Sequence, residues 1–324
     1  MLRECLTFDD VLLVPQYSEI NSRANVDLSQ TVCGINFDIP LISSNMKTIT
    51  ETYMAMAMED IGGLGILHRF CSVEDNVEMI KILKGSGSKQ IAASVGVKDE
   101  EYYRLNCLVK NGANIICVDV AHGYHDLVRK MINAIKNDFS NVKIIAGTVC
   151  TPDAAIMLNE WGADIIRVNV GAGSLCTTRI ETGNGVPQLT ALMDIWPKAL
   201  EKGFGVICDG GVKNAGDIVK ALCFSHLVMS GSLFAGTLET PGKIIDGYKN
   251  YEGSSTYREK NVEGIKTKVK YKGLVTQIIA KLLDGIRSGC SYQGAENLDE
   301  LRHDPEFIRI TQASLKESGA HFNA

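Results

Sequence analysis

The residue of this chain best suited to covalent chemistry is a cysteine in a glycine-rich loop. An apolar run ends at Val170, and a glycine-rich turn with nearby hydroxyl side chains leads to Cys176. Glycines let a backbone approach a ligand closely, and long loops with polar groups often carry function. A thiol in this setting is typical of a covalent nucleophile. The segment reads Val168-Asn169-Val170-Gly171-Ala172-Gly173-Ser174-Leu175-Cys176-Thr177-Thr178-Arg179.

The alternative for Cys176 is a packing role, because a free cysteine usually behaves as a small buried hydrophobe. The chain has 10 cysteines, and Cys117 and Cys208 stand in apolar runs that predict this role. The cysteines lack C-x-x-C pairs, so the sequence indicates neither a disulfide framework nor a structural zinc site. Spacing alone supports both roles of Cys176 about equally.

Composition places the chain among ordinary globular proteins. It has 324 residues, of which 45% are hydrophobic and 22% charged, enough for a large core. The net charge of -5 indicates neither a nucleic-acid nor a membrane surface. No apolar run is long enough to span a bilayer, and the first residues do not resemble a signal peptide. We therefore expect a cytoplasmic protein that binds neither nucleic acid nor membranes.

Eight short apolar runs have the pattern of buried parallel strands. Most are about one strand-plus-helix unit apart, and the longer sixth interval contains Cys176. Helical patterns fill the gaps; Thr151-Pro152-Asp153, for example, reads as a helix start. Eight such units predict a TIM barrel that forms a single domain over residues 1–324, and the alternative is an open doubly wound sheet. The runs begin at residues 40–42, 64–67, 91–95, 115–118, 142–146, 165–168, 206–208 and 227–229.

Polar residues follow several of these predicted strands. Asp119 comes after the fourth, Asp209-Gly210-Gly211 after the seventh and Ser230-Gly231-Ser232 after the eighth. Glycine and serine loops after the last two strands form the usual phosphate site of such barrels, so we expect a phosphorylated substrate. A tight turn at the glycines and a capping or surface role for Asp119 are the alternatives.

A polar segment over about residues 237–272 follows the eighth strand. It is rich in glycine, lysine, glutamate and tyrosine, which makes it too polar for a core. We interpret it as a candidate lid, and the alternative is a solvated insertion.

Six motifs together resemble the IMP dehydrogenase and GMP reductase family over nearly the whole chain. The family implies a TIM barrel, usually a homotetramer, that binds a purine nucleotide and whose cysteine attacks C2 of the purine. Residues 70–90 have room for only one helix and turns, so we expect no regulatory (CBS) domain after the second strand. The motifs lie at residues 6–15, 40–51, 62–69, 168–187, 208–211 and 285–288.

Several details resemble the reductase branch of the family. They include Thr182-Gly183 after the cysteine, Asp119-Val120-Ala121-His122-Gly123, Asn45, and a lid segment without the Arg-Tyr pair that activates water in dehydrogenases. A dehydrogenase needs a water-activating base, whereas a reductase must protonate departing ammonia. This branch implies NADPH-dependent reductive deamination of GMP to IMP and ammonia through a covalent cysteine intermediate. A dehydrogenase lacking the regulatory domain and a divergent purine-nucleotide-binding paralogue are the alternatives.

The resemblance also implies a role for individual residues. Catalysis falls to Cys176, Thr178 and Glu263, and cofactor contacts to Arg69, Asp119 and Ala121. The resemblance allows a monovalent cation such as K⁺ at the backbone carbonyls of Gly171, Gly173 and Cys176. The residues implied to bind the nucleotide are Ser174, Asp209, Gly210, Gly211, Gly231, Ser232, Tyr251 and Gly253.

Three positions depart from the family pattern. Lys47 stands where the family nearly always has aspartate, Asn169 replaces a glycine, and Thr148 replaces an asparagine. All three are expected near the nucleotide or cofactor, and they motivate the paralogue alternative.

Overall fold

Three short strands precede the barrel in the computed structural model, which describes residues 2–253 and 264–319. They are β1 (Val11–Leu13), β2 (Gln30–Val32) and β3 (Ile35–Phe37). β2 and β3 form an antiparallel hairpin whose buried side chains pack with the inward-facing residues of the barrel. This hairpin covers the end of the barrel where the strands begin, so the carboxyl ends of the strands stay accessible.

All eight predicted runs form strands, and the strands close into a barrel. Every neighbouring pair is parallel, and the order around the barrel is the seventh, eighth and then first to sixth of these strands. The predicted TIM barrel is thus confirmed and the open sheet is wrong. The barrel strands are β4 (Leu41–Ser43), β5 (Leu64–Leu67), β6 (Ala92–Val95), β7 (Ile115–Asp119), β8 (Lys143–Val149), β9 (Ile165–Val168), β10 (Gly205–Asp209) and β11 (Leu227–Ser230).

Helices cover the outside of the barrel. The segment between β5 and β6 forms a single helix and turns, as expected for a chain without an inserted regulatory domain. In the part of the chain that the structure describes, no helix is long and apolar enough to cross a membrane. The helices are α1 (Thr52–Asp60), α2 (Val73–Gly85), α3 (Asp99–Asn111), α4 (Asp126–Asp138), α5 (Pro152–Glu160), α6 (Thr178–Thr182), α7 (Gln188–Lys202), α8 (Ala215–Leu222), α9 (Val275–Tyr292), α10 (Leu298–Leu301) and α11 (Gln312–Glu317).

Three further strands lie outside the barrel. β12 (Tyr248–Glu252) and β13 (Lys266–Lys270) pair as an antiparallel hairpin inside the predicted lid segment. β14 (Phe307–Arg309) pairs with β1 and so joins the two ends of the chain.

Side chains of the barrel strands alternate between two apolar cores. Ile115, Cys117 and Ile145 point into the barrel, whereas Ile116 and Ile144 pack under the helices. This alternation follows from the two-residue period of a strand. The last inward-facing residues of several strands lie at the accessible end of the barrel, and these residues are polar.

Candidate functional site

An ion-pair network of three inward-facing side chains forms the floor of the accessible end. Arg167 of β9 lies between Asp119 at the end of β7 and Asp209 at the end of β10. Its Nη1 donates to Asp119 Oδ1 at 2.8 Å, and its Nη2 and Nε donate to Asp209 Oδ2 at 2.7 and 3.1 Å. One guanidinium thus holds two carboxylates that come from different strands.

Burial and the neighbouring charges together set the pKa values of Asp119 and Arg167 in this network. Arg167 is 4% exposed, and Asp119 and Asp209 are also buried. Burial alone would raise the pKa of Asp119, but the charges of Arg167 and Arg69 outweigh it and hold that pKa below its ordinary value. The pKa of Arg167 lies above its ordinary value because the Asp209 and Asp119 carboxylates outweigh its burial. Asp119 and Arg167 are therefore both charged at neutral pH.

The cysteine loop lies beside this floor, between β9 and α6. Cys176 is the exposed member of the ten cysteines; Cys117 and Cys208 are buried, as predicted. Burial raises the pKa of the Cys117 thiol to about 11, which makes it inert at neutral pH. Cys176 Sγ lies 3.1 Å from Thr178 Oγ1, within hydrogen-bonding distance. A thiol beside a hydroxyl at an open cavity can act as a nucleophile with a proton-relay partner.

Hydrogen bonds within the loop fix the turn that leads to the thiol. The Cys176 N–H donates to the Gly173 carbonyl at 3.0 Å, and the Ala172 N–H donates to Asn169 Oδ1 at 2.9 Å. Gly171 has a φ of +83°, which favours glycine, and a Cβ there would lie 2.4 Å from the Arg179 side chain.

The β12–β13 hairpin packs against the same loop. Tyr251 Oη and Ser174 Oγ are 3.0 Å apart, and the Ile265 N–H donates to the Leu175 carbonyl at 3.1 Å. The Gly264 N–H donates to Thr177 Oγ1 at 2.9 Å. Contacts to Ser174, Leu175 and Thr177 therefore connect the predicted lid segment to the residues around Cys176.

A cavity of about 680 Å³ opens between the hairpin, the cysteine loop and the floor. The structure brings every predicted site residue that it describes to the lining of this cavity; Glu263 lies outside the described residues. The ligand that each residue binds stays a prediction. The predicted residues in the lining are Arg69, Asp119, Ala121, Gly171, Gly173, Ser174, Cys176, Thr178, Asp209, Gly210, Gly211, Gly231, Ser232, Tyr251 and Gly253.

Sequence reasoning missed Arg167, the central residue of the floor. The signal was present, because a charged residue within the apolar run Ile165-Ile166-Arg167-Val168 must be paired if that run is buried. Two of the three departures from the family pattern, Asn169 and Thr148, line the cavity, whereas Lys47 is exposed and outside the lining described for it.

The cavity continues beyond the floor. It extends past Asp119 to Gly96, Val97 and Lys98, after the end of β6. Arg69 Nε lies there 3.6 Å from Asp119 Oδ2 and, among the described residues, it is buried without a hydrogen-bond partner. A buried donor without a partner is costly unless a ligand satisfies it.

The predicted cation position is partly engaged within the protein. The Gly173 carbonyl accepts the Cys176 N–H, although a carbonyl oxygen has a second lone pair for a cation. In the described part of the chain, no group of three or more His, Cys, Asp or Glu side chains could hold a metal ion.

Comparisons with a family model and with known proteins all identify the same family. The model for the IMP dehydrogenase / GMP reductase domain matches residues 5–321. An inosine-5'-monophosphate dehydrogenase of Cryptosporidium parvum is 34% identical over 98% of this chain and 94% of its own length. A GMP reductase of Leishmania donovani is 30% identical over 99% of this chain and 97% of its own length.

A solved structure supports the same relation. It is a cysteine-to-alanine variant of GMP reductase from Trypanosoma brucei in complex with guanosine 5'-monophosphate. Its fold matches this chain with a TM-score of 0.91 and 28% identity, and the match covers 100% of this chain and 99% of that one.

Proposed function

Because the chain belongs to the IMP dehydrogenase and GMP reductase family, we propose that it is a GMP reductase. It converts GMP, NADPH and a proton to IMP, ammonia and NADP⁺ through a covalent bond between Cys176 and C2 of the purine. The chain therefore acts as an oxidoreductase of purine nucleotides.

The observation that carries the proposal is the placement of the thiol. Cys176 is exposed at the mouth of a cavity whose floor holds two buried carboxylates, and its sulfur is 3.1 Å from the Thr178 hydroxyl. The other nine cysteines are buried or partly buried. A purine seated over the floor would present C2 to this thiol.

We assign the nucleotide to the side of the cavity formed by β10, β11 and the hairpin. Asp209 binds the ribose hydroxyls, and the backbone at Gly210, Gly211 and Gly253 lies close to the nucleotide. Ser174, Gly231, Ser232 and Tyr251 surround the phosphate. The 3.0 Å contact between Tyr251 and Ser174 supports this assignment, because it places two hydroxyl groups side by side at one end of the cavity.

In the first half-reaction the Cys176 sulfur adds to C2 while the bond between C2 and the exocyclic nitrogen breaks. The thiol proton, relayed through Thr178 and Glu263, joins the departing NH₂ group, which leaves as ammonia. Gly264, which follows Glu263 in the chain, donates its N–H to Thr177 Oγ1, and this contact supports a joint role for Thr178 and Glu263.

In the second half-reaction C2 gains a hydride, the C2–S bond breaks with the electron pair on sulfur, and IMP forms. The Cys176 thiolate then takes up a proton from solvent. A bound nicotinamide cofactor supplies the hydride. Arg69, Asp119 and Ala121 would hold that cofactor, and Arg69 Nε, which has no hydrogen-bond partner among the described residues, would offer it a donor. The protein contributes orientation, since these residues would hold the hydride donor within reach of C2.

The second candidate is an IMP dehydrogenase, because a dehydrogenase is 34% identical to this chain. The reductase is favoured by Thr182-Gly183, by Asn45 and by a lid segment without the water-activating Arg-Tyr pair. A nucleotide-binding paralogue without turnover is the third candidate, motivated by Asn169 at the cavity.

One assay separates the three candidates. Purified protein receives GMP with NADPH, GMP with NADH, and IMP with NAD⁺, and the absorbance of the reduced nicotinamide is followed. Turnover of GMP that is faster with NADPH supports the proposal. Turnover of IMP alone would make the protein a dehydrogenase, and binding of GMP without turnover would make it a paralogue.

Assembly, cation and location complete the proposal. The protein is a homotetramer in the cytoplasm, it binds neither nucleic acid nor membranes, and residues 237–272 act as a lid. All ten cysteines are free, which fits a reducing compartment. A K⁺ ion binds the carbonyls of Gly171, Gly173 and Cys176. Light scattering tests the tetramer, and activity in K⁺ against an organic cation tests the ion.

A further inference from the structure

Lys249 is a buried charge that the proposed chemistry does not use. It lies on β12 and is 3% exposed. Its Nζ donates to the carbonyls of Thr237 at 2.9 Å and Leu238 at 3.0 Å, and also to that of Thr240. An ammonium has three donors, so these carbonyls use all of them. Among the described residues, no carboxylate lies within ion-pair distance of Nζ.

Lys249 contacts carbonyls at one end of a hydrogen-bonded turn. The other end of this turn lies at the cavity. The N–H groups of Phe234 and Ala235 donate to the Gly231 carbonyl at 3.2 and 2.8 Å, and the Thr237 N–H donates to the Phe234 carbonyl at 3.2 Å. Gly231, at the start of the turn, lines the cavity. The ammonium therefore holds the far end of the turn that carries the proposed phosphate contacts.

The strand of Lys249 also carries Tyr251. The two side chains are buried on one face of β12, because alternate residues of a strand share a face. Tyr251 Oη contacts Ser174 Oγ at 3.0 Å, and it would lie 3.1 Å from a Cβ on Gly231. Lys249 thus connects the strand that carries Tyr251 to the turn that begins at Gly231.

We propose that Lys249 is a positioning residue for the phosphate end of the nucleotide site. Its ammonium sets the distance between the Gly231 turn and Tyr251, so that both can contact a 5'-phosphate at the same time. The inference rests on the proposed function only in that the ligand is a nucleoside 5'-monophosphate.

The test compares GMP with guanosine, which lacks the phosphate. In Lys249→Ala the dissociation constant of GMP should rise about tenfold or more, the usual consequence of losing hydrogen bonds to a charged group. The dissociation constant of guanosine should change less than about twofold, within the usual effect of a substitution remote from a ligand. Both are measured by calorimetry or competition on the full chain.

Lys268→Ala is the matched control, because Lys268 is an exposed lysine on β13 of the same hairpin. It should leave both affinities unchanged. Equal weakening of GMP and guanosine in Lys249→Ala would overturn the inference, as would unchanged GMP binding or an equal effect in Lys268→Ala.

A second variant covers the case in which Lys249→Ala does not fold. Lys249→Arg keeps the charge, but its larger planar group cannot match three carbonyls arranged around an ammonium. We expect the same selective loss of GMP affinity, smaller in size. Unchanged GMP affinity in Lys249→Arg, together with an insoluble Lys249→Ala, would restrict Lys249 to folding and overturn the inference.

The wild type separates this inference from the proposed function. If the wild type turns over IMP with NAD⁺ instead of GMP, the reductase proposal fails, and the comparison is repeated with IMP and inosine. The affinities of the Lys249 variants for IMP and inosine then decide the Lys249 inference.

Discussion

Removing the charge of Arg167 should expose how the two buried carboxylates depend on it. In Arg167→Met the side chain keeps an unbranched apolar stem but loses all three contacts to Asp119 and Asp209, which measure 2.7 to 3.1 Å. Arg69 stays 3.6 Å from Asp119, so Asp209 is the carboxylate that loses most. The variant therefore leaves a buried negative charge without its partner.

The expected loss of stability at pH 7 is about 3–5 kcal/mol, the usual cost of breaking a buried ion pair. Each contact at an effective dielectric constant of about 20 represents a few kcal/mol of attraction, and desolvation offsets part of it. Arg129→Met is the matched control, because Arg129 pairs with Asp126 on the surface with 43% of its side chain exposed. That pair should be worth about 1 kcal/mol or less.

The pH dependence of the stability loss is a second expected result, with a definite direction. In the wild type the pKa of Asp119 is lowered, so its contribution is present above the ordinary carboxylate pKa and lost as pH falls. In Arg167→Met the largest of the charges that lower the pKa of Asp119 is gone, so less stability is lost as pH falls. The difference in unfolding free energy should be largest near neutral pH and shrink in acid.

Urea denaturation of wild type, Arg167→Met and Arg129→Met at several pH values measures this difference. Adding Asp209→Asn to Arg167→Met should recover part of the lost stability, since the unpaired charge is gone. A loss below about 1 kcal/mol, or an equal loss at acid and neutral pH, would refute the reasoning.

Three further changes test other parts of the molecule. Cys176→Ala should lower turnover by more than about a hundredfold while GMP still binds. A variant that keeps more than about a hundredth of the wild-type turnover would exclude the covalent mechanism. Glu263→Gln should slow ammonia release by about 10²–10⁴-fold and affect hydride transfer from IMP to NADP⁺ less, and equal losses would point to a role in folding the lid. His226 is a partly buried histidine whose pKa is lowered from 6.5 to about 4 by desolvation and by the charge of Arg302, so stability should fall by about 2 kcal/mol from pH 7 to pH 5 as the unfolded chain takes up a proton. His226→Gln should remove that dependence in urea denaturation, and an unchanged dependence would assign it to another group.

The barrel was predictable because its signals are local. Strands of a parallel barrel are buried on both faces, so they appear as continuous apolar runs such as residues 115–118 and 206–208. The polar residues that end these runs, Asp119 and Asp209, were predictable at the open end for the same reason. Cys176 was a candidate from its loop, but its exposure, which separates a reactive thiol from a packed one, depends on the neighbours that folding brings.

Contacts between distant residues depended on the tertiary structure. Arg167 is 48 residues from Asp119 and 42 from Asp209 in the chain, and the closure of the barrel decides which inward-facing side chains meet. The contact of Tyr251 with Ser174 spans 77 residues, and Lys249 reads in the sequence as one more polar residue of a solvated segment. By itself the sequence determined which residues lie at the accessible end of the barrel, because periodicity and chain order are local properties. Only the folded chain decided their partners and charges, because burial and distance arise when separate strands pack together.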